Sequence, residues 1–248
     1  MSALAATLLL AAVASPPSAF GPGERLGMRI SYAHMLGGRA QLAVEADEGR
    51  PSWRFVATAR SEGFFAWLFR FRVDDRTVAE WDPATGCSLG IEKHLREGKA
   101  ERDQKVVIDP ATGRAEVEDK KVAQKVFELQ PCVLDVLSAF FVARVRGVPE
   151  KEPLRLPVFD NGKSYVLEVR FVGRERLDLP KPLGKKVPTV IVEPVLAEGT
   201  GLFVKEGRLK IWLTDDARRI PVRMRAKVAI GSVSADLESY TPGVPVSN

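Results

Sequence analysis

The sequence predicts a mainly β chain in which strands follow one another and a single helix covers an apolar sheet face. Three observations predict it. Apolar residues alternate with polar ones in segment after segment, the two-residue period of a half-buried strand. Asp-Pro, Asn-Gly and Gly-Gly turn signals separate those segments, and only one stretch, 131–144, carries helical spacing.

Residues 1–19 stand apart from this pattern. Leu4 to Val13 form an apolar run broken only by Thr7 and followed by small residues and prolines, which reads as the core of a cleavable signal peptide. Cleavage after Ala14, with Ala12 two positions earlier, or after Ala19 fits that reading. No Lys or Arg precedes the run, and no Cys follows it that would carry a lipid anchor. The run is too short for a permanent span, and no later stretch approaches the roughly 20 apolar residues that a spanning helix needs. The expected location is the periplasm or cell envelope.

Residues 20–240 read as one β-rich domain, and 241–248, with Pro242 and Pro245, as a flexible tail. Phe20 to Glu24 form a turn feeding a strand at Met28 to Tyr32. Gly37-Gly38 reads as the hairpin connection into Ala40, Leu42 and Val44, which share one face. Trp53, Phe55, Ala57 and Ala59 repeat the alternation. Phe64, Phe65, Trp67, Phe69 and Phe71 then concentrate aromatic area, which suits either core packing at a bend or the mouth of an apolar cavity.

Two Asp-Pro-Ala-Thr-Gly turns, at 82–86 and 109–113, support a meander. Pro131 to Arg144 is the helix, with Asp135 favouring its N-terminal end and Val133, Leu137, Phe140 and Phe141 forming its apolar face. Asp160 to Lys163 is a turn into Tyr165, Leu167, Val169 and Phe171. A loop at 180–186 precedes Val190 and Val192. Leu209, Ile211 and Leu213 form the next strand, Asp215 to Arg219 turn the chain, and Val222 to Ile230 form the last strand. Opposite its apolar face lie Arg223, Arg225 and Lys227, either as a solvated face or as a surface for phospholipid headgroups, an acidic polymer or an acidic protein edge.

The residues specify no reaction. His34 and His94 are the only histidines and have no metal-ligand spacing beside them. Asp215 and Asp216 suit a turn better than a catalytic pair. Asp135 and Ser138 lack a histidine partner, and no glycine run makes a phosphate loop. No catalytic residue, metal or cofactor is therefore assigned. The net charge of +5 is mild, and Lys93 to Lys125 carries nine basic against seven acidic residues, so nucleic acid is not an expected partner. Cys87 and Cys132 are the only cysteines and leave two readings open, one disulfide or two separately buried thiols.

The stretches FGPGERLGMRISY with GG five residues later, SEGFFAWLFRFRVDDR, LDVLSAFFVAR, PVFDNGKSYVLEVRFVGRE and IWLTDDARRIPVRMRAKVAIGSVSADL together resemble the DUF3108 family of exported bacterial envelope proteins, over about residues 20–238. The resemblance implies a single curved antiparallel sheet or partly open barrel with a helix packed on the concave face. No agreed activity or catalytic set comes with it. The closing strand-turn-strand is also distantly similar to periplasmic lipoprotein-sorting carriers, whose sheets bind acyl chains. On that analogy Phe64, Phe65, Trp67, Phe69, Phe140 and Phe141 would contact an apolar ligand. The expected role is a non-enzymatic envelope protein binding a lipid, glycolipid or other apolar-tailed component. The alternatives are an assembly factor meeting an envelope protein through a strand edge or the Arg223, Arg225 and Lys227 face, and a hydrolase.

Overall fold

The computed structural model describes residues 19–32, 35–46, 49–62, 72–120, 122–196, 209–228 and 231–244, with 122 and 123 described in backbone only. Within them one antiparallel sheet of fourteen strands runs β1 (Arg25–Tyr32), β2 (Met35–Ala46), β3 (Trp53–Ser61), β4 (Asp74–Asp82), β5 (Cys87–Glu97), β6 (Ala100–Asp109), β7 (Arg114–Asp119) and β8 (Val122–Glu128). After the helix α1 (Val136–Arg146) come β9 (Leu154–Asp160), β10 (Lys163–Leu177), β11 (Val187–Leu196), β12 (Leu209–Thr214), β13 (Pro221–Lys227) and β14 (Ser232–Thr241). The strand order is β8-β7-β6-β5-β4-β3-β2-β1-β14-β13-β12-β11-β10-β9, so each half is a meander and the first strand pairs with the last.

Turn chemistry explains the meander. In both Asp-Pro-Ala-Thr-Gly turns the Asp carboxylate accepts the amide of the Ala two residues on, at 2.9 Å, and the terminal Gly takes positive φ, 76° at Gly86 and 65° at Gly113. Asn161 and Gly162 both adopt positive φ between β9 and β10, the geometry whose twist matches a two-residue hairpin.

The edges β8 and β9 do not pair with each other, so the sheet curls without closing into a barrel. Side chains and one connecting segment span the seam. The Phe127 and Phe159 rings lie 5.4 Å apart, and Lys93 of β5 forms an ion pair with Asp160. Val133 and Leu134 run extended: Ser88 donates its amide to the Val133 carbonyl, while Leu134 exchanges backbone bonds with Pro157 and Phe159. The helix thus starts later than the periodicity predicts, at Val136 rather than Pro131. Asp135 is the reason, because its carboxylate accepts the amides of Leu137 and Ser138 and caps the helix.

Three other expectations change. Gly37 and Gly38 lie inside β2, not at its hairpin. Gly38 meets a close backbone approach: a Cβ there would come within 2.2 Å of the Arg60 carbonyl oxygen. The strand expected over 222–230 ends at Lys227, and a separate β14 returns from Ser232. Thr241, expected to begin the tail, ends β14, and Val244 donates its amide to the Pro22 carbonyl at 2.8 Å. The rest of the tail, 245–248, and most of the signal segment, 1–18, lie outside the described residues.

The main core fills the concave face beneath α1. Phe20, Phe55, Trp81 and Phe141 form its centre, with Phe55 and Phe141 stacked at 4.1 Å between ring centroids. A second cluster joins Leu26, Met28, Val222 and Leu237 with Trp212, Leu177 and the loop residues Leu179 and Leu183.

Candidate functional site

Where the core ends, an apolar cavity begins. It has a volume of about 310 Å³ and lies between α1 and the inward faces of β2–β4 and β10–β13. Val136 and Phe140 roof it; Leu42, Ala57, Leu167, Val192, Ile211 and Met224 are among its walls. Only Thr77 and Arg144 bring polar atoms to the lining. Small Ala57 sits between larger neighbours on the same face, and its short side chain helps keep the space open.

Arg144 is already engaged. Its guanidinium makes a two-armed ion pair with Glu24, at 2.6 and 2.9 Å, and donates to the carbonyls of Ala19, Arg218 and Arg219. Arg144 and Glu24 are each 1% exposed in their side chains, and the guanidinium lies 5.2 Å above the Phe20 ring. This network ties α1 to the N-terminal segment and to the turn at 215–219. It therefore positions the helix over the cavity and commits the guanidinium to Glu24 and the backbone carbonyls.

The other end of α1 is fixed by a second buried group. Asp135 accepts the amides of Leu137 and Ser138 on one oxygen and the hydroxyls of Ser88 and Ser138 on the other. Burial pushes its carboxyl up from the ordinary range, and these donors pull against that shift. The Leu137 and Ser138 contacts cap the helix and the Ser88 contact ties it to β5, so Asp135 and Ser138 build the helix start. Cys87 and Cys132 form a disulfide beside them, with their Cα atoms 4.8 Å apart, which closes the choice the sequence leaves open.

Of the residues expected to touch an apolar ligand, Phe140 lines the cavity. Phe141 does not; it is fully buried against Phe55 and belongs to the filled core. Phe64, Phe65, Trp67 and Phe69 lie outside the described residues. The cavity walls from β10–β13 were visible in the sequence only as strand faces, because nothing in alternation distinguishes a filled face from an unfilled one.

The cationic face is modified in a similar way. Arg223 forms an ion pair with Asp236 on the adjoining strand, whereas Arg225 and Lys227 are exposed. Trp212 lies on that face too: the Arg223 and Arg225 guanidinium carbons are each 5.9 Å from its ring. An aromatic residue is therefore interleaved with these cations. It is buried, and its Nε1 donates to Glu175, so it offers no open stacking surface.

His94 Nδ1 lies 2.6 Å from Asp103, beside a surface groove of about 510 Å³ on β3–β6. Hydrogen bonds from Lys120 and then His94 hold the Asp103 carboxyl down at about 2. Among the described residues the groove is lined by charged side chains such as Arg54, Glu80, Glu92 and Lys105, with no Ser, Thr or Cys. Asp216 accepts the amides of Arg218 and Arg219, the turn role expected of it, whereas the Asp215 carboxylate pairs with Arg174 of β10. Among the described residues no cluster of three or more His, Cys, Asp or Glu is placed to hold a metal, and no helix is long and apolar enough to cross a membrane.

The sequence matches the family described as "Protein of unknown function (DUF3108)" over residues 28–238, most of its length. The chain belongs to the DUF3108 family. No curated protein matches it. Among solved structures, this DUF3108 chain is similar to a β-barrel-like protein of the domain of unknown function DUF1849 from Brucella abortus. The TM-score is 0.57 at 11% identity, covering 88% of this chain and 97% of that one. The hypothetical protein CT021 from Chlamydia trachomatis aligns with a TM-score of 0.37 at 9% identity, over 91% of this chain and 90% of that one. The first likeness shows that the DUF3108 sheet shares a β-barrel-like fold.

Proposed function

We propose that this DUF3108 protein is a non-enzymatic protein of the cell envelope that holds one apolar tail of a lipid or related component beneath α1. The observation that carries the reading is the cavity. Its volume of about 310 Å³ falls at the lower end of the range for small-molecule sites, about 300–1,000 Å³. A lining whose only polar side chains are Thr77 and the ion-paired Arg144 suits a hydrocarbon tail.

The test is native mass spectrometry of protein purified gently from its own envelope fraction, followed by titration with a dansyl-labelled fatty acid. Ala57→Phe fills the cavity from its sheet wall and is expected to weaken binding of the labelled acid by at least about tenfold while the thermal midpoint holds or rises. Unchanged binding in Ala57→Phe would remove the cavity from the account.

The disulfide supports export, since such links persist in oxidising compartments. Export also makes the two cleavage positions distinguishable. Ala19 and Phe20 are each 4% exposed, and the Ala19 carbonyl accepts from Arg144. Cleavage after Ala19 would replace that acceptor with a buried α-ammonium beside a guanidinium. The intact mass of the exported protein is therefore expected to correspond to a chain beginning at Ser15. A chain beginning at Phe20 contradicts the inference, and an uncleaved chain contradicts export.

A further inference from the structure

At one rim of the sheet, exposed apolar side chains and cations with no acidic partner lie together. The rim is set by two cross-strand rows. Met35, Tyr32, Val233, Ala226 and Leu209 are successive partners across β2, β1, β14, β13 and β12. Beside them run Leu36, Ser31, Ser234, Arg225 and Lys210. Met35 is 50% exposed, Leu36 40% and Val228, just past β13, 41%. These are three of the few large apolar residues exposed to that degree among the described residues, and they cap two neighbouring hairpin ends. Nothing among the described residues covers them.

The charges around them are one-sided. Asp236 is occupied by Arg223, and Glu62 and Glu238 are occupied by Arg39. Arg29, Lys210, Arg225 and Lys227 form no ion pair with a described residue, and Arg29, Arg225 and Lys227 are exposed. Leu209 and Met224, in and next to these rows, also line the cavity, so the rim and the cavity share their walls.

We propose that this rim docks on an anionic lipid surface, with Met35, Leu36 and Val228 entering the headgroup boundary and Arg225, Lys227, Lys210 and Arg29 meeting lipid phosphates. Stable attachment at a membrane surface takes two signals, apolar insertion and a basic patch, and this rim carries both. Apolar hairpin ends ringed by cations suit a headgroup layer, which has no fixed shape to complement. An acidic protein edge would use the cations but leave the apolar ends in water. Arg223, neutralised by Asp236, contributes little. The proposal does not depend on the cavity being occupied.

Sedimentation of the purified protein with phosphatidylcholine vesicles, with and without phosphatidylglycerol, tests it. Binding is expected only with phosphatidylglycerol present and is expected to fall at high salt. Arg225→Glu with Lys227→Glu is expected to weaken it by about 25-fold or more, at roughly fivefold for each of the two positive charges lost. Met35→Ser with Leu36→Ser is expected to weaken it several-fold without touching the charge. All four side chains are exposed, so unchanged thermal midpoints are expected to accompany these losses. Ala57→Phe, which fills the cavity, is expected to bind vesicles like the parent, which separates docking from tail binding. Equal binding to vesicles lacking phosphatidylglycerol, no binding to either, or parental binding by the charge-reversed protein would overturn the proposal.

Discussion

Glu24→Ala is expected to lower the free energy of unfolding by about 3–5 kcal/mol, the cost typical of breaking a buried ion pair by removing one partner. The Arg144 guanidinium would remain buried with its three backbone acceptors but without its counter-charge. Urea unfolding followed by tryptophan fluorescence measures the change. Trp53 and Trp81 sit in the same aromatic core as Phe20, so they report on the region the pair holds. Replacing both partners, Glu24→Leu with Arg144→Met, is expected to recover only part of the loss. The carbonyls of Ala19, Arg218 and Arg219 would still lose their donor, and each buried acceptor left unpaired has its own desolvation cost. A single-variant loss below about 1 kcal/mol would show that the pair is not buried as described.

Replacing both cysteines by serine is expected to cost about 4 kcal/mol, the chain-entropy value for a link spanning 45 residues. The link fastens the start of β5 to the segment that precedes α1. Its removal should also loosen the Ser88 and Asp135 contacts that begin the helix. The oxidised protein and the double serine variant can be compared by urea midpoint, and hydrogen exchange at Leu137 and Ser138 reports the helix start directly. If the midpoints coincide, the disulfide adds no constraint beyond that of the sheet.

These two linkages differ in how far they can be read from the chain. Glu24 and Arg144 are 120 residues apart. Each reads as an ordinary surface charge in its own segment, because local pattern carries no information about which distant residues share a buried space. The cysteines were visible, yet two cysteines without a geometry allow both pairing and separate burial. Gly37-Gly38 was misplaced for a related reason. A glycine permits either a turn or a close approach, and the Arg60 carbonyl beside Gly38, contributed by β3, decides between them.

The sequence by itself determined the strand-rich class, the repeated Asp-Pro turns, the Asn161-Gly162 hairpin, the helix that follows β8 and the family. All of these rest on interactions within a few residues: side-chain alternation, capping and turn preferences. Only the tertiary structure decided that the sheet stays open at β8 and β9, that Phe141 is core while Phe140 faces a cavity, and that Arg223 is neutralised while Arg225 and Lys227 are not. Each of those outcomes depends on what a residue meets across strands far apart in sequence. Alternation tells which face a side chain occupies but not whether anything fills the space opposite it.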